Sequence, residues 1–416
     1  MARLSVFAGC CTLGAAEQVC GVDRALDRLA ALVDHSLLQS GATGHGETRF
    51  TMLETIRAYA ATRLAQSGDE PETRRRHAEY FALLAERVEP DLKSLGDATA
   101  LDRIEADHDN FRAAMNWAAA SGRGDLSMRL AAALYLFWLF RGPLDEAAER
   151  LDAALAAGGE PGALRAKVLR GRTVVRAAMG RLDEAQADAR ELVAVADRMT
   201  DAPLRAHLLD AVGFVAQQAA DYERARAIHE EIAALSRSSG DALQLCIALN
   251  NLADIALNQS RFDDAAALSK ETLAVALAVG NAERAGTALL NSGSALLGLG
   301  RNGEAARRFV DSLREARRLG LPAAIGFALD GLGAVAAMLG RYEAAARILG
   351  AADATLEVAG ATLQTFEEQR RARVLARIEQ SLEPSVFAAA RSEGRRLSLD
   401  DATELLTAHV AIGRPS

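Results

Sequence analysis

Lysine is almost missing from this chain of 416 residues. It occurs only as Lys93, Lys167 and Lys270, and arginine supplies nearly all of the positive charge. Together with abundant alanine, that bias points to a GC-rich bacterial genome and carries no information about activity. A cationic excess is missing as well: 48 basic against 56 acidic side chains leave a net charge of −8. No basic block interrupts the distribution, so nothing announces a phosphate-binding face. Aromatic residues make up only 5%, strand formers are sparse outside two short stretches, and helix formers prevail. A membrane-spanning helix needs roughly 20 apolar residues. The longest run here, Leu130 to Phe140, has 11 between Arg129 and Arg141 and reads as a buried helix. The start, MARLSVFAGCC, has neither the cationic head nor the cleavage site of a secretory signal, so a cytoplasmic location is expected. Four cysteines, Cys10, Cys11, Cys20 and Cys246, form no CxxC pair. They suggest no disulfide framework, and with His35 they match no zinc spacing; small buried hydrophobes are the simpler reading. The seven histidines (35, 45, 77, 108, 207, 229 and 408) fall into no HExxH pattern, and no Gly-x-Ser-x-Gly or Ser-His-Asp arrangement is present. No metal, cofactor or catalytic set is expected.

What the chain does contain is a repeat. The segments GRLDEA, ADYERA, SRFDDA, GRNGEA and GRYEAA end at Ala185, Ala225, Ala265, Ala305 and Ala345, spaced by 40 each time. Twelve residues before each alanine stands a small or compact residue: Thr173, Gly213, Ala253, Gly293 and Gly333. A weaker copy, GPLDEA, ends at Ala147. Within one period, Leu249, Leu252, Ile255 and Ala256 recur at helical spacing, Ser260 to Asp263 form a turn, and a second helical stretch runs from Ala265 to Val279 with Gly280 as its stop. Each period is thus a helical hairpin whose helices cross closely through small side chains. One hairpin cannot bury its apolar face, whereas stacked hairpins can. These residues resemble tetratricopeptide (TPR) repeats in a longer variant, with a period of 40, no repeating tryptophan and no terminal proline. The resemblance implies a right-handed α-solenoid with a concave groove.

Residues 1–70 read differently. Helical stretches at Leu13–Cys20 and Asp23–Val33 precede SLLQS, a loop from Gly41 to Gly46, and RFTML. Two short apolar-alternating runs about a loop predict the wing of a winged helix, and a helix over Glu54–Gln66 stops at Gly68. The stretches LSVFAGCCTLGAAEQVC, LDRLAALVDHSLLQ, RFTMLETIRAYAATRL, RRRHAEYFALLAE and LDRIEADHDNFRAAMNWA resemble, in order, the segment that follows the nucleotide-binding module in bacterial STAND-type regulators of the LuxR-like and AfsR-like kind. The likeness continues more loosely to FAAARSEGRRLSLDDATELL near the end. It implies a winged helix that closes over a nucleotide held by a preceding P-loop ATPase, and repeats that sense a ligand. No GxxxxGK[ST] occurs in this chain, so ATP hydrolysis has no chemical basis in it. The Met-His-Asp motif of related NB-ARC proteins falls on Met52, Leu53 and Glu54, where leucine cannot donate a hydrogen bond to phosphate.

The expected architecture is mostly α: a winged helix over 1–70, a helical linker with hairpins over 71–160, repeats over 161–355 and capping helices over 356–416. Residues 1–70 carry 6 Arg against 8 Asp or Glu, which argues against direct DNA binding; Arg74, Arg75 and Arg76 read as a solvated face. The cluster Glu105 to Asn110 reads as a helix start, with Asp109 or Asn110 as N-cap. The first helix of each hairpin should line the groove and present His207, Asp210, Phe214, Gln217, Asn250, Asp254, Leu257, Thr287, Ser294, Phe327 and Asp330 to a protein, peptide or small-molecule effector. The expected function is the non-enzymatic sensor half of a transcriptional regulator, working with a P-loop ATPase in the same operon or a longer protein. A general protein–protein adaptor and a direct DNA-binding regulator are the alternatives.

Overall fold

The computed structural model describes residues 1–42, 47–92, 98–157 and 162–397. Part of the expected wing loop, the expected boundary at residues 160 and 161, and the last stretch of the expected cap lie outside them. The described residues form twenty α-helices and one three-stranded sheet, a mostly α chain with a winged helix at its start. Contacts divide it into two compact units, Met1–Val195 and Ala196–Ser416.

The first unit opens with a 3-10 turn, Ala2–Val6, then β1 (Cys10–Thr12), α1 (Leu13–Cys20), α2 (Ala25–Asp34), β2 (Gln39–Ala42), β3 (Thr48–Thr51) and α3 (Glu54–Ser67). Both strands of the predicted wing are present, and a third strand, β1, pairs with β3 in the order β1-β3-β2. Thr12 caps α1 by accepting from the Ala15 amide. Gly68, in the left-handed region at φ 77°, ends α3. Seven further helices complete the unit: α4 (Glu70–Leu92), α5 (Ala98–Ala106), α6 (His108–Ala120), α7 (Gly124–Phe140), α8 (Leu144–Ala156), α9 (Ala163–Ala178) and α10 (Leu182–Ala196). The apolar run found in the sequence is buried within α7, with Trp138 at its end. No described helix is long and apolar enough to cross a membrane.

The second unit is the hairpin array: α11 (Ala202–Gln218) with α12 (Tyr222–Ser239), α13 (Ala242–Asn258) with α14 (Phe262–Ala278), α15 (Ala282–Gly298) with α16 (Asn302–Leu319), and α17 (Pro322–Met338) with α18 (Tyr342–Ala359). Two more helices follow, α19 (Thr365–Glu379) and α20 (Pro384–Gly394). Asp201, Asp241 and Asn281 stand at the N-caps of α11, α13 and α15, each accepting from the amide three residues on; these caps satisfy otherwise orphaned donors at the period of the repeat. The turn inside each hairpin requires a left-handed residue. Gly180, Gly300 and Gly340 supply it, but Ala220 and Ser260 hold the same conformation at φ 57° and 58°.

The repeating alanines Ala225, Ala265, Ala305 and Ala345 are fully buried. Opposite the small residue of each first helix, sixteen positions later, stands a side chain of the second helix whose size varies inversely. A methyl placed on Gly213 would lie 2.6 Å from His229, on Gly293 2.8 Å from Phe309, and on Gly333 2.7 Å from Leu349. Where the first helix instead carries Ala253, the equivalent second position is Ser269, and opposite Thr173 it is Ala189. Each hairpin therefore divides its seam differently between the two helices, a bare backbone taking a large side chain and a larger residue taking a small one.

Candidate functional site

In the second unit the first helices of successive hairpins touch one another, α11 on α13, α13 on α15 and α15 on α17. They form one layer, and its open face carries the polar residues. On α13, one helical turn brings Asn250 next to Asp254, and the Asn250 amide donates to the Asp254 carboxylate at 3.1 Å. Asn291, from α15, donates to the other Asp254 oxygen at 2.7 Å and to Asn250 Oδ1 at 3.0 Å. These three side chains form a closed amide–carboxylate knot between adjacent repeats. Burial, reinforced by the nearby Glu367 carboxyl, nonetheless pushes the Asp254 carboxyl up to about 7, with the Asn291 bond opposing.

The face is not bare: α19 lies across it. Phe366, Arg370, Val374 and Ile378 form a buried stripe on α19 at intervals of four. Phe366 packs among Ala256 and Leu257 of α13, Ala265 of α14 and Ala295 of α15. Arg370 is 6% exposed; its guanidinium donates to Ser294 Oγ at 2.9 Å and to Asp330 at 2.7 Å. The same guanidinium sits 5.6 Å from the Phe366 ring centroid and 6.0 Å from that of Phe309. Arg371 pairs with Asp330 at 2.7 Å and with Asp353 of α18 at 2.6 Å. Burial also raises the Glu367 carboxyl. Asp330 thus answers Arg370 and Arg371, and Asp353 answers Arg371 and Arg391 of α20, whereas the carboxyl of Glu367 opposes the charge on Asp254.

Of the residues expected to line the groove, Asp254, Leu257, Ser294 and Asp330 meet α19, and Asn250 is tied to Asp254 beside them. His207, Asp210, Phe214 and Gln217 lie half-buried along α11, and Phe327 is half-buried on α17. The Thr287 hydroxyl turns back to the Glu283 carbonyl of its own helix. Sequence reasoning did not single out Asn291, Asp353, or the α19 residues. The i, i+4 stripe of Phe366, Arg370, Val374 and Ile378 is the signal that would have found the latter.

In the first unit, Arg49 of β3 and Asp107 form a bidentate pair at 2.8 and 2.9 Å, both side chains less than a tenth exposed. Asp107, not Asp109 or Asn110, occupies the N-cap position of α6, and its carboxylate makes no cap bond. It is drawn to Arg49 instead. Asn110 is spent on long-range bonds, accepting from the Ala8 amide at 2.9 Å and donating to the Cys10 carbonyl at 2.8 Å. Phe7, His77, Phe81 and Phe111 stack edge to face beneath. Burial lowers His77 to about 4. The winged helix is therefore bonded and packed onto α4 and α6. Its α2 exposes Leu26, Asp27 and Arg28, and Asp27 pairs with Arg24 at 2.7 Å. The arginine cluster of α4 is neutralised in place: Arg74 by Glu70, Arg75 by Glu72 and Glu79, Arg76 by Glu72. Burial pushes Cys11 up to about 12 and Cys20 to about 11, so both stay thiols. Among the described residues no group of three His, Cys, Asp or Glu is placed to hold a metal ion.

Among solved structures, the chain is similar to a signal transduction ATPase with numerous domains (STAND) protein with a tetratricopeptide repeat sensor from Pyrococcus horikoshii, at 12% identity, 94% of this chain, 64% of that one and a TM-score of 0.48. It is also similar to a Rap protein complexed with competence and sporulation factor, at 13% identity, 80% and 98% coverage and a TM-score of 0.46. Over 149 residues it is 34% identical to proteins of Mycobacterium bovis and Mycobacterium tuberculosis, each named as a proposed HTH-type transcriptional regulator. The aligned stretch is 35% of this chain, which spans only 17% of the length of those relatives. Residues 1–65 match the family model described as a winged helix-turn-helix domain.

Proposed function

We propose that this chain is the non-enzymatic sensor half of a STAND-type, LuxR-like transcriptional regulator. In this reading residues 1–70 are the regulatory winged helix, 71–160 a helical linker, 161–355 the TPR sensor and 356–416 its cap. The sensor takes a protein or peptide partner, or a small effector, on the face of α13, α15 and α17, and the bound state is passed to a P-loop ATPase module in the same operon or a longer protein. The observation that carries the reading is that this face already holds a helix through paired charges and small-residue pockets. The similarity to mycobacterial HTH-type regulators supports the regulatory role.

The test is direct. Peptides selected from a random display library against the full chain, measured by fluorescence polarisation, should lose at least tenfold in affinity for the Asn250→Ala/Asp254→Ala variant. Undiminished binding would place the partner site elsewhere. The winged helix-turn-helix match gives the DNA-binding alternative its own observation. The near-neutral α2 and the neutralised arginines of α4 weigh against it, and salt-sensitive, site-selective shifts with genomic fragments would reverse that preference.

A further inference from the structure

Two helices follow the last hairpin, and they do different things. α20 closes the end of the array on α18, so tightly that a methyl on Gly394 would meet the Arg347 carbonyl at 1.9 Å and one on Gly350 the Arg391 carbonyl at 2.2 Å. That end of the array is thus sealed without α19. The second half of α19, with Val374 and Ile378, joins the large apolar cluster of α17 and α18. Its first two turns instead reach back along the polar face as far as α13.

Those two turns sit as a ligand sits. An amphipathic helix fills a groove through anchors at helical spacing, and Phe366 and Arg370 occupy an apolar pocket and an acidic site in that way. The fit is incomplete, however. Glu367 is buried near enough to raise the Asp254 carboxyl, its own charge is only partly offset by Arg370, and its Oε2 has no hydrogen-bond partner. Arg370 Nε is buried without a partner as well. Two carboxyls sharing a partly desolvated site disfavour each other's charge, and unpaired buried polar atoms weaken a contact that apolar side chains would strengthen.

We propose that the first two turns of α19 are an internal stand-in for the groove's ligand. The ligand that displaces them is a helical peptide bearing an aromatic residue with two arginines four and five positions later, and an uncharged or basic residue directly after the aromatic. This rests on the groove being the partner site and adds the chemistry of the partner. The aromatic takes the place of Phe366 among Ala256, Ala265 and Ala295. The arginines take Asp330 and Asp353, and the changed residue relieves Asp254.

The probes are labelled peptides of residues 362–373, native and with Glu367→Gln, measured by fluorescence polarisation against the full chain. A chain carrying Phe366→Ala, in which the stand-in is weakened, should bind the native peptide at least tenfold tighter than the unaltered chain does. The Glu367→Gln peptide should bind several-fold tighter again, and adding Asp330→Asn to the chain should remove the gain. Equal affinity of the Phe366→Ala and unaltered chains overturns the proposal. Hydrogen exchange on the unaltered protein decides independently of any folding defect. The helix-bonded amides of 369–371 should exchange at least tenfold faster than those of 374–379, and faster still with excess Glu367→Gln peptide. A single common rate for both halves, unmoved by peptide, overturns it. If display-selected ligands still depend on Asn250 and Asp254 while these tests fail, the groove remains the partner site and only the displacement is wrong.

Discussion

One helix offers the same substitution with opposite consequences. Gly286 and Gly293 both lie in α15, and alanine is intrinsically favoured over glycine in a helix by about 1 kcal/mol. At Gly286 the new methyl would meet only Glu315 Cβ, at an ordinary 3.7 Å. Gly286→Ala should therefore stabilise the repeat unit by about 0.5–1 kcal/mol. At Gly293 the methyl would lie 2.8 Å from two ring carbons of the fully buried Phe309, and that ring cannot step aside. A methyl on Gly331, approaching the same ring from α17, would be only 2.4 Å away, so the ring is already clasped between two bare backbones. Overpacking of this kind costs about 1–3 kcal/mol. With the ring held on both sides the upper part of that range applies, and subtracting the helix gain leaves a net loss of about 1–2 kcal/mol. The two variants should thus differ by about 1.5–3 kcal/mol in urea, with unchanged m-values. Both tryptophans, Trp117 and Trp138, lie in the first unit, so the repeat unit is followed by hydrogen exchange of α15 and α16 against urea. Equal shifts in the same direction for both variants would refute the seam packing.

Asp107→Ala should destabilise the first unit by about 2–4 kcal/mol, because it leaves the buried Arg49 with only the more distant Glu47 at 3.5 Å to oppose its charge, while Arg49→Met with Asp107→Leu should recover most of the loss; tryptophan fluorescence in urea reads both, and a single-variant loss under about 1 kcal/mol contradicts the pairing. Ala220→Gly should stabilise its hairpin by about 0.5–1 kcal/mol, since an L-residue in the left-handed region costs about 1–2 kcal/mol and part of the gain returns to the unfolded chain; an unchanged or lower urea midpoint for α11 and α12 exchange would show the turn to be unstrained. The units should respond oppositely to pH. Asp254 has a folded pKa of about 7, above that of an unfolded aspartate, so its contribution is complete below about pH 4 and is lost as pH rises through 7. Asp254→Asn should flatten that fall. His77 is lowered to about 4, so its contribution is present above about pH 6.5 and is lost as pH falls towards 4. His77→Gln should blunt the acid sensitivity of the first unit, and midpoints at pH 5 and 8 check both signs.

The hairpin array was legible because its contact is repeated. A small residue twelve positions before each buried alanine is a constraint the chain meets five times, and periodicity averages away local noise. The strand β3 showed in the alternation of RFTML, β2 only in part because it starts at Gln39 near the end of SLLQS, and β1, with three residues, is too short to alternate visibly. The polar face was legible in part. Asn250, Asp254, Ser294 and Asp330 recur on the first helices, but amphipathic spacing says which side of a helix is covered and not by what. The covering element was hidden for that reason. Arg370 reads in sequence as a polar break in an apolar stripe, and only Asp330, forty residues earlier, makes it a buried residue. Asn110 likewise reads as a cap because caps are local, while its true partners, Ala8 and Cys10, are set by tertiary contact.

The inverse sizes along the hairpin seam bear on how such an array can change over generations. Helices from different repeats look interchangeable by length and period, yet each first helix is keyed to its own second helix. Grafting α14, with Ser269, behind α15 would leave a hole beneath Gly293, and grafting α16, with Phe309, behind α13 would drive a ring into Ala253. Hairpins are keyed to their neighbours too, since bare backbone at Gly298 and Gly331 receives Phe262 and Phe309 of the preceding hairpin, so a single helix is held on both of its sides. Change in this array therefore has to be matched across two seams, one inside the hairpin and one to the next.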